Sequence, residues 1–121
     1  MQADYEMKLP WVPSVNTYYR RAGNHIHLSN KGRAFKAEVA QQLKAMRLHN
    51  EAIKDRLKVR IELIPPNRRK FDIDNRIKPL LDALQDAGLF ADDEQIDSLK
   101  VDRMAIDPEK KGYCLVKVDS Y

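Results

Sequence analysis

Residues 71–75 read Phe-Asp-Ile-Asp-Asn, set between the cations Arg68, Arg69 and Lys70 and the leucine-rich run Arg76–Leu84. In extended chain, residues two apart project to the same side, so Asp72 and Asp74 aim both carboxylates at one point, whereas helical geometry separates them. Two or three carboxylate oxygens completed by water are what magnesium accepts, often together with a substrate phosphate. Asp-x-Asp alone is a weak signal, because a solvated turn or a helix-capping pair is its commoner use. The context is stronger. Asn75 and Lys78 follow at once, and Lys78 is within reach of a phosphate held near the pair. Arg68, Arg69 and Lys70 would alone read as a solvated charge run; directly before an acidic pair they are placed to grip a nucleic-acid backbone beside a scissile bond.

Charge along the chain agrees with that chemistry. From Pro79 to Leu99 there are six acidic residues (Asp82, Asp86, Asp92, Asp93, Glu94 and Asp97) and no Lys or Arg, so with a net charge of +4 the other hundred residues carry +10. A basic surface of that size favours a polyanionic partner. An acidic island within it holds phosphate only with a cation between, which points to metal-assisted chemistry on a nucleic acid.

Other classes fall away. No apolar run approaches the roughly 18 residues that span a bilayer, and Met1–Trp11 lacks the cationic start and apolar stretch of a secretion signal. The one cysteine, Cys114 in YCLVKV, reads as a buried thiol in a reducing compartment, hence the cytoplasm. His25-x-His27 has no further His or Cys nearby and reads as a loop pair, not a zinc site. There is no Gly-rich phosphate loop, nucleophile elbow or Cys/His pair, so neither a nucleotide cofactor nor acyl transfer is expected.

The elements that must position these residues follow from periodicity. The 121 residues have the size of one domain. Residues 5–9 predict a short strand ending at Pro10, and the Pro-, Asn- and Gly-rich stretch 9–32 a long loop with a hairpin around Ala22–Asn24. Ser29 or Asn30 caps a helix to about Leu48, with Phe35, Val39, Leu43 and Met46 on its apolar side. Leu57, Val59, Ile61 and Leu63 alternate with Lys58, Arg60 and Glu62 as a half-buried strand. A second helix carries Ile77, Leu80, Leu81, Leu84 and Ala87 to a C-cap at Gly88. An interior proline costs about 3 kcal/mol, so this helix is expected to begin close to Pro79, leaving 72–78 as a turn. Residues 96–106 and 113–118 predict a terminal antiparallel hairpin. The fold class is α+β: a small mixed sheet in the order β-α-β-α-β-β, with two helices packed on one face.

A helix of about ten residues carries the chain roughly 15 Å from Asp74. The extended segment Gly88–Asp93 returns at most about 17 Å. Asp93 therefore just reaches the pair in its own chain, or else serves the site of a partner. The string Asp72-Ile73-Asp74-Asn75-Arg76-Ile77-Lys78, then Asp82-Ala83-Leu84, Gly88 and Asp92-Asp93, resembles the RusA family of Holliday junction resolvases. The opening LPWVPSVNTYYR resembles that family's proline-rich start, with Val12 in place of a second proline. Phe71 stands where a further basic residue is expected. The resemblance covers nearly all of the chain, 1–121, as one endonuclease domain.

The resemblance implies a homodimeric, Mg²⁺-dependent endodeoxyribonuclease that resolves four-way DNA junctions by paired symmetric nicks. It gives carboxylate roles to Asp72, Asp74 and Asp93, holding one or two Mg²⁺ ions per site, and a catalytic or phosphate-contacting role to Lys78. Asp92 and Asn75 are adjacent candidates, and Arg68, Arg69, Lys70, Arg76 and Lys78 the expected DNA contacts. Arg20 and Arg21 and the first helix's Lys36, Lys44 and Arg47 extend that footprint. Trp11, Tyr18 and Tyr19 are candidates to stack on exposed bases or wedge the junction; of these Trp11 reads more as a core or interface anchor. The rival readings are a non-catalytic nucleic-acid-binding module, an interaction protein docking through its acidic 82–97 stretch, and a nuclease for flaps or other branched DNA.

Overall fold

The computed structural model describes residues 4–120. Its order is β1 (Tyr5–Pro10), α1 (Val15–Tyr18), β2 (Tyr19–Ala22), β3 (His25–Leu28), α2 (Asn30–Ala45), β4 (Leu57–Ile64), α3 (Asp74–Asp86), a 3₁₀ turn (Asp93–Gln95), β5 (Ile96–Arg103) and β6 (Tyr113–Ser120). Four strands form a mixed sheet in the order β1-β6-β4-β5, and β2 and β3 form a separate two-stranded ribbon. The mixed α+β class holds, with more elements than the periodicity gave. The stretch 9–32 is ordered as a one-turn helix and the anticipated hairpin, with Gly23 at φ +61° in its two-residue turn.

Alternation in β4 is complete: Leu57, Val59, Ile61 and Leu63 are buried and Lys58, Arg60 and Glu62 are not. Met7 and Leu9 of β1 and Cys114, Val116 and Val118 of β6 join them on one sheet face. Phe35, Val39 and Leu43 of α2 and Leu80, Leu81 and Leu84 of α3 cover that face and complete one core. Met46, expected in the α2 stripe, lies past the helix end and is exposed. Ser29 caps α2 by accepting from the Gly32 N–H at 3.0 Å. Burial pushes the Cys114 thiol up to about 12, as expected of a thiol without access to water. Among the described residues, no helix is long and apolar enough to cross a membrane.

Two expectations are overturned. The last two strands do not form a hairpin: β5 pairs with β4 in parallel, and β6 lies on the other side of β4, antiparallel to it. Helix α3 carries the chain from β4 to β5, the crossover that parallel neighbours need. The chain then folds over the end of β4, with the Met104 N–H bonded to the Leu63 carbonyl and Asp107 N–H to the Pro65 carbonyl, and returns as β6. Secondly, α3 begins at Asp74 and Pro79 lies inside it. Proline has no N–H to give the Asn75 carbonyl, but Asn75 is in the first turn, where the ladder gives way most easily. Ile73 has helical angles (φ −58°, ψ −45°), so the Asp72–Asp74 segment is not the extended pair that the alternation argument assumed.

Candidate active site

Asp74 opens α3, and Lys78 and Asp82, at spacings of four, fall on the same helix face. The Lys78 ammonium donates to Asp82 Oδ1 at 3.0 Å and stands 3.8 Å from Asp93 Oδ2. The hydrogen bond to Asp82 holds its pKa above the ordinary lysine value. On its other side, Asp82 accepts a hydrogen bond from the Tyr19 hydroxyl, and burial and this carboxylate push the Tyr19 phenol up. A chain of four side chains thus runs Tyr19–Asp82–Lys78–Asp93, drawn from the base of the ribbon, from α3 and from the 3₁₀ turn.

Asp93 reaches this place because its backbone is fixed twice. Gly88 ends α3 in left-handed geometry (φ +92°), with the Leu89 N–H bonded back to the Leu84 carbonyl and the Gly88 N–H to that of Gln85. This 6→1 and 5→2 pattern is a Schellman cap. The chain then pairs with residues 52–53, through Ala52 N–H to Gly88 O and Ile53 N–H to Leu89 O. The Asp93 N–H donates to Gln85 Oε1 at 3.1 Å. Buried Gln95 accepts from the Asp92 N–H at 2.7 Å and donates to the Ile53 and Asp55 carbonyls. Asp92 itself accepts from the Glu94 N–H at 3.1 Å, so its carboxylate caps the 3₁₀ turn.

Residues 9–112 match the family model described as endodeoxyribonuclease RusA. The chain belongs to the RusA family. It is 39% identical over 100 residues to the crossover junction endodeoxyribonuclease of Enterobacteria phage HK97, spanning 83% of this chain and 82% of that one. The proteins of the same name from Enterobacteria phage 82 and Escherichia coli K12 are each 38% identical over 102 residues, 84% of either length.

Not all of the sequence-predicted RusA site is gathered. Asp72 and Asp74 are exposed and make no side-chain hydrogen bond or ion pair among the described residues. They are hard, unpartnered oxygen donors of the kind magnesium takes. Yet among the described residues no three Asp, Glu, His or Cys side chains stand close enough to hold a metal ion. Asp93 faces Lys78, while Asp72 and Asp74 are open to solvent. Asn75 lies half-buried in the first turn.

Of the expected DNA contacts, Arg68, Arg69 and Lys70 are exposed on the turn leaving β4, where the Arg69 N–H donates to Asn67 Oδ1 at 2.9 Å. Arg69 and Lys70 line a groove of about 540 Å³ that also takes in Lys31, Trp11 and Phe71. Arg76 is turned inward: its guanidinium donates to the Val12 carbonyl at 2.6 Å and lies 5.2 Å from the Trp11 ring, and burial lowers its pKa. Trp11 packs edge-on against Phe71, the anchoring role expected of it.

Sequence reasoning named Tyr19 and Asp82 without this role for either, and it missed Arg103. Tyr19 and Asp82 carry the network just described. Arg103, at the end of β5, stacks 4.4 Å over Phe71 and donates to its carbonyl at 2.7 Å, bringing positive charge beside the position where a basic residue was expected. Only the parallel register that sets Leu63 opposite Arg103 reveals this. The acidic island is also less open than its sequence suggested. Lys36 pairs with Asp86, Lys78 with Asp82, and Arg56 with both Glu94 and Asp97. A free docking face for a basic partner would leave these acids unpaired.

Proposed function

We propose that this chain is a metal-dependent endodeoxyribonuclease of one domain that cuts four-way DNA junctions, working in the cytoplasm as a homodimer. The observation that carries the reading is the meeting of Lys78 and Asp93, from either end of the α3 crossover, on the face that begins with Asp74. The names of the phage and bacterial relatives support the substrate class. Asp72, Asp74 and Asp93 would hold one or two magnesium ions. Such a metal, when bound, supplies Lewis acidity and a more acidic water beside the phosphate. Lys78 contributes a fixed positive charge to the phosphate oxygens as negative charge builds on them. Asp82 keeps that ammonium protonated and aimed. Arg68, Arg69 and Lys70 hold the flanking backbone, and their contacts make binding salt-dependent. A four-way junction offers equivalent opposing strands, which a two-fold dimer meets with two equivalent sites.

The test compares a synthetic four-way junction, a flap and a plain duplex, with magnesium or with chelator, using wild type and Asp72→Asn. The junction is expected to be nicked symmetrically by wild type with magnesium only, and bound but left intact by Asp72→Asn. Preferential cutting of the flap would move the assignment to another branched-DNA nuclease. Equal binding with no nicking under any condition would leave a non-catalytic binding module.

A further inference from the structure

The ribbon Tyr19–Leu28 stands apart from the main sheet and, beyond Tyr19 at its base, has no part in the site described above. Its register pairs Tyr19 with Leu28, Arg20 with His27, Arg21 with Ile26 and Ala22 with His25. Residues opposite one another project to one side, and the side alternates at each step. One side of the ribbon therefore carries Tyr19, Leu28, Arg21 and Ile26; the other carries Arg20, His27, Ala22 and His25.

The first side is tied to the candidate active site, because the Tyr19 hydroxyl bonds to Asp82 next to Lys78. Arg21 and Ile26 continue that side about 7 Å further out. Ile26 is 68% exposed, the most exposed large apolar side chain among the described residues. Between the base of the ribbon and the start of α2 runs a groove of about 500 Å³ lined by Arg20 and His27 of the second side, by Tyr19 and Leu28 of the first, and by Lys31 and Arg33, with no acid taking part. From Met7 to Ala37 the sequence holds six Lys or Arg and no Asp or Glu. Arg20, Arg21, Lys31 and Arg33 form no ion pair among the described residues. An exposed apolar side chain one pair in from the turn of a cationic ribbon suits a polyanion that has an apolar interior, which is nucleic acid at a place where bases are already unstacked.

We propose that the ribbon is a wedge for the branch point: Ile26 inserts between base pairs at the crossover, Arg21 holds the adjoining phosphate, and the Arg20–His27–Lys31–Arg33 groove takes the backbone of one arm. This rests on the junction-cutting reading above. Through Tyr19 and Asp82, a seated wedge also sets Lys78 at the strand to be cut.

The experiment uses full-length protein carrying Asp72→Asn and a synthetic four-way junction with 2-aminopurine either at the branch point or in the middle of an arm. Unstacking raises 2-aminopurine fluorescence. Binding is expected to raise the branch-point signal and leave the arm signal unchanged; adding Ile26→Ser abolishes the rise, and Ile26→Phe retains it. In protein with Asp72 intact, Ile26→Ser slows junction cutting about tenfold. A full branch-point rise with Ile26→Ser overturns the wedge. So does a change in the protein's mass in solution on Ile26→Ser, which would make Ile26 a self-contact. If wild type neither binds nor cuts the junction, the junction-cutting reading falls and the wedge with it; if wild type cuts normally while Ile26→Ser changes nothing, the wedge alone falls.

Discussion

The ammonium of Lys78 is hydrogen-bonded at 3.0 Å to the carboxylate of Asp82, one turn further along α3. Asp82 is itself held by Tyr19, so in the proposed mechanism it acts by aiming the lysine. Asp82→Asn is expected to lower kcat for junction cutting roughly tenfold with KM unchanged, and Asp82→Glu to recover part of the loss. Lys78→Ala should lose about 10²–10³, the range for removing one transition-state donor. Because both act through one ammonium, Asp82→Asn should add nothing to Lys78→Ala. Multiplying losses in the double variant would mean that Asp82 acts on its own.

Neighbouring Asp92 and Asp93 are chemically alike but differently employed: one caps the 3₁₀ turn, the other faces Lys78. Asp92→Ala should cost about 1 kcal/mol of stability in urea titration, the value of an N-cap, and leave most of the cutting rate. Asp92→Asn keeps a capping oxygen and should be near neutral in both measurements. Asp93→Asn should melt like wild type and scarcely cut. A reversed pattern would exchange the roles of the pair.

Gly88 closes α3 where no side chain fits. Its φ is +92°, and a Cβ there would lie 1.8 Å from the His49 carbonyl oxygen. Gly23, also at positive φ, has open space around its Cβ position. Gly23→Ala should therefore cost about 1 kcal/mol, the left-handed penalty alone. Gly88→Ala carries the clash as well and should exceed about 2 kcal/mol, with the urea midpoint lowered and the m-value unchanged. It should also slow cutting, because the Gly88–Leu89 pairing with residues 52–53 guides the chain to Asp93. Equal costs at the two glycines would refute the close-approach explanation.

What could be read in advance depended on how local the determining force was. The β4 alternation and the α3 stripe ending at Gly88 are set by nearest-neighbour geometry, and both appear as spelled. The partner of β5 is not local: its edge position leaves most of its residues exposed, so its alternation cannot tell an edge strand of a crossover from half of a hairpin. The acidic motif named Asp93 and Lys78 through the family resemblance. Tyr19 and Asp82 meet across 63 positions by side-chain contact alone, which no spacing rule encodes. The proline rule misplaced the start of α3 because it weighs a missing hydrogen bond without asking how firmly that turn holds its ladder.

Asp107 offers a test by pH. This carboxylate is buried in the turn that brings the chain from β5 to β6 and accepts from the N–H groups of Glu109, Lys111 and Gly112 at 3.0, 3.2 and 2.9 Å. The Glu109 N–H leads in holding its pKa below the ordinary Asp value. A depressed carboxyl contributes stability that is fully present above its unfolded pKa, about 4, and is lost as pH falls through the lower folded value. Asp107→Asn keeps the shape and removes the charge. It should lower the urea midpoint at neutral pH by a clear margin, and the gap to wild type should stay constant down to about pH 5 and shrink below about pH 4. Buried Gly112, at φ +75°, keeps both proteins in the same turn, so the gap reports the charge and not a rearranged loop. A gap that held its full size into strong acid would show that the Asp107 carboxylate is not what those three N–H groups stabilise.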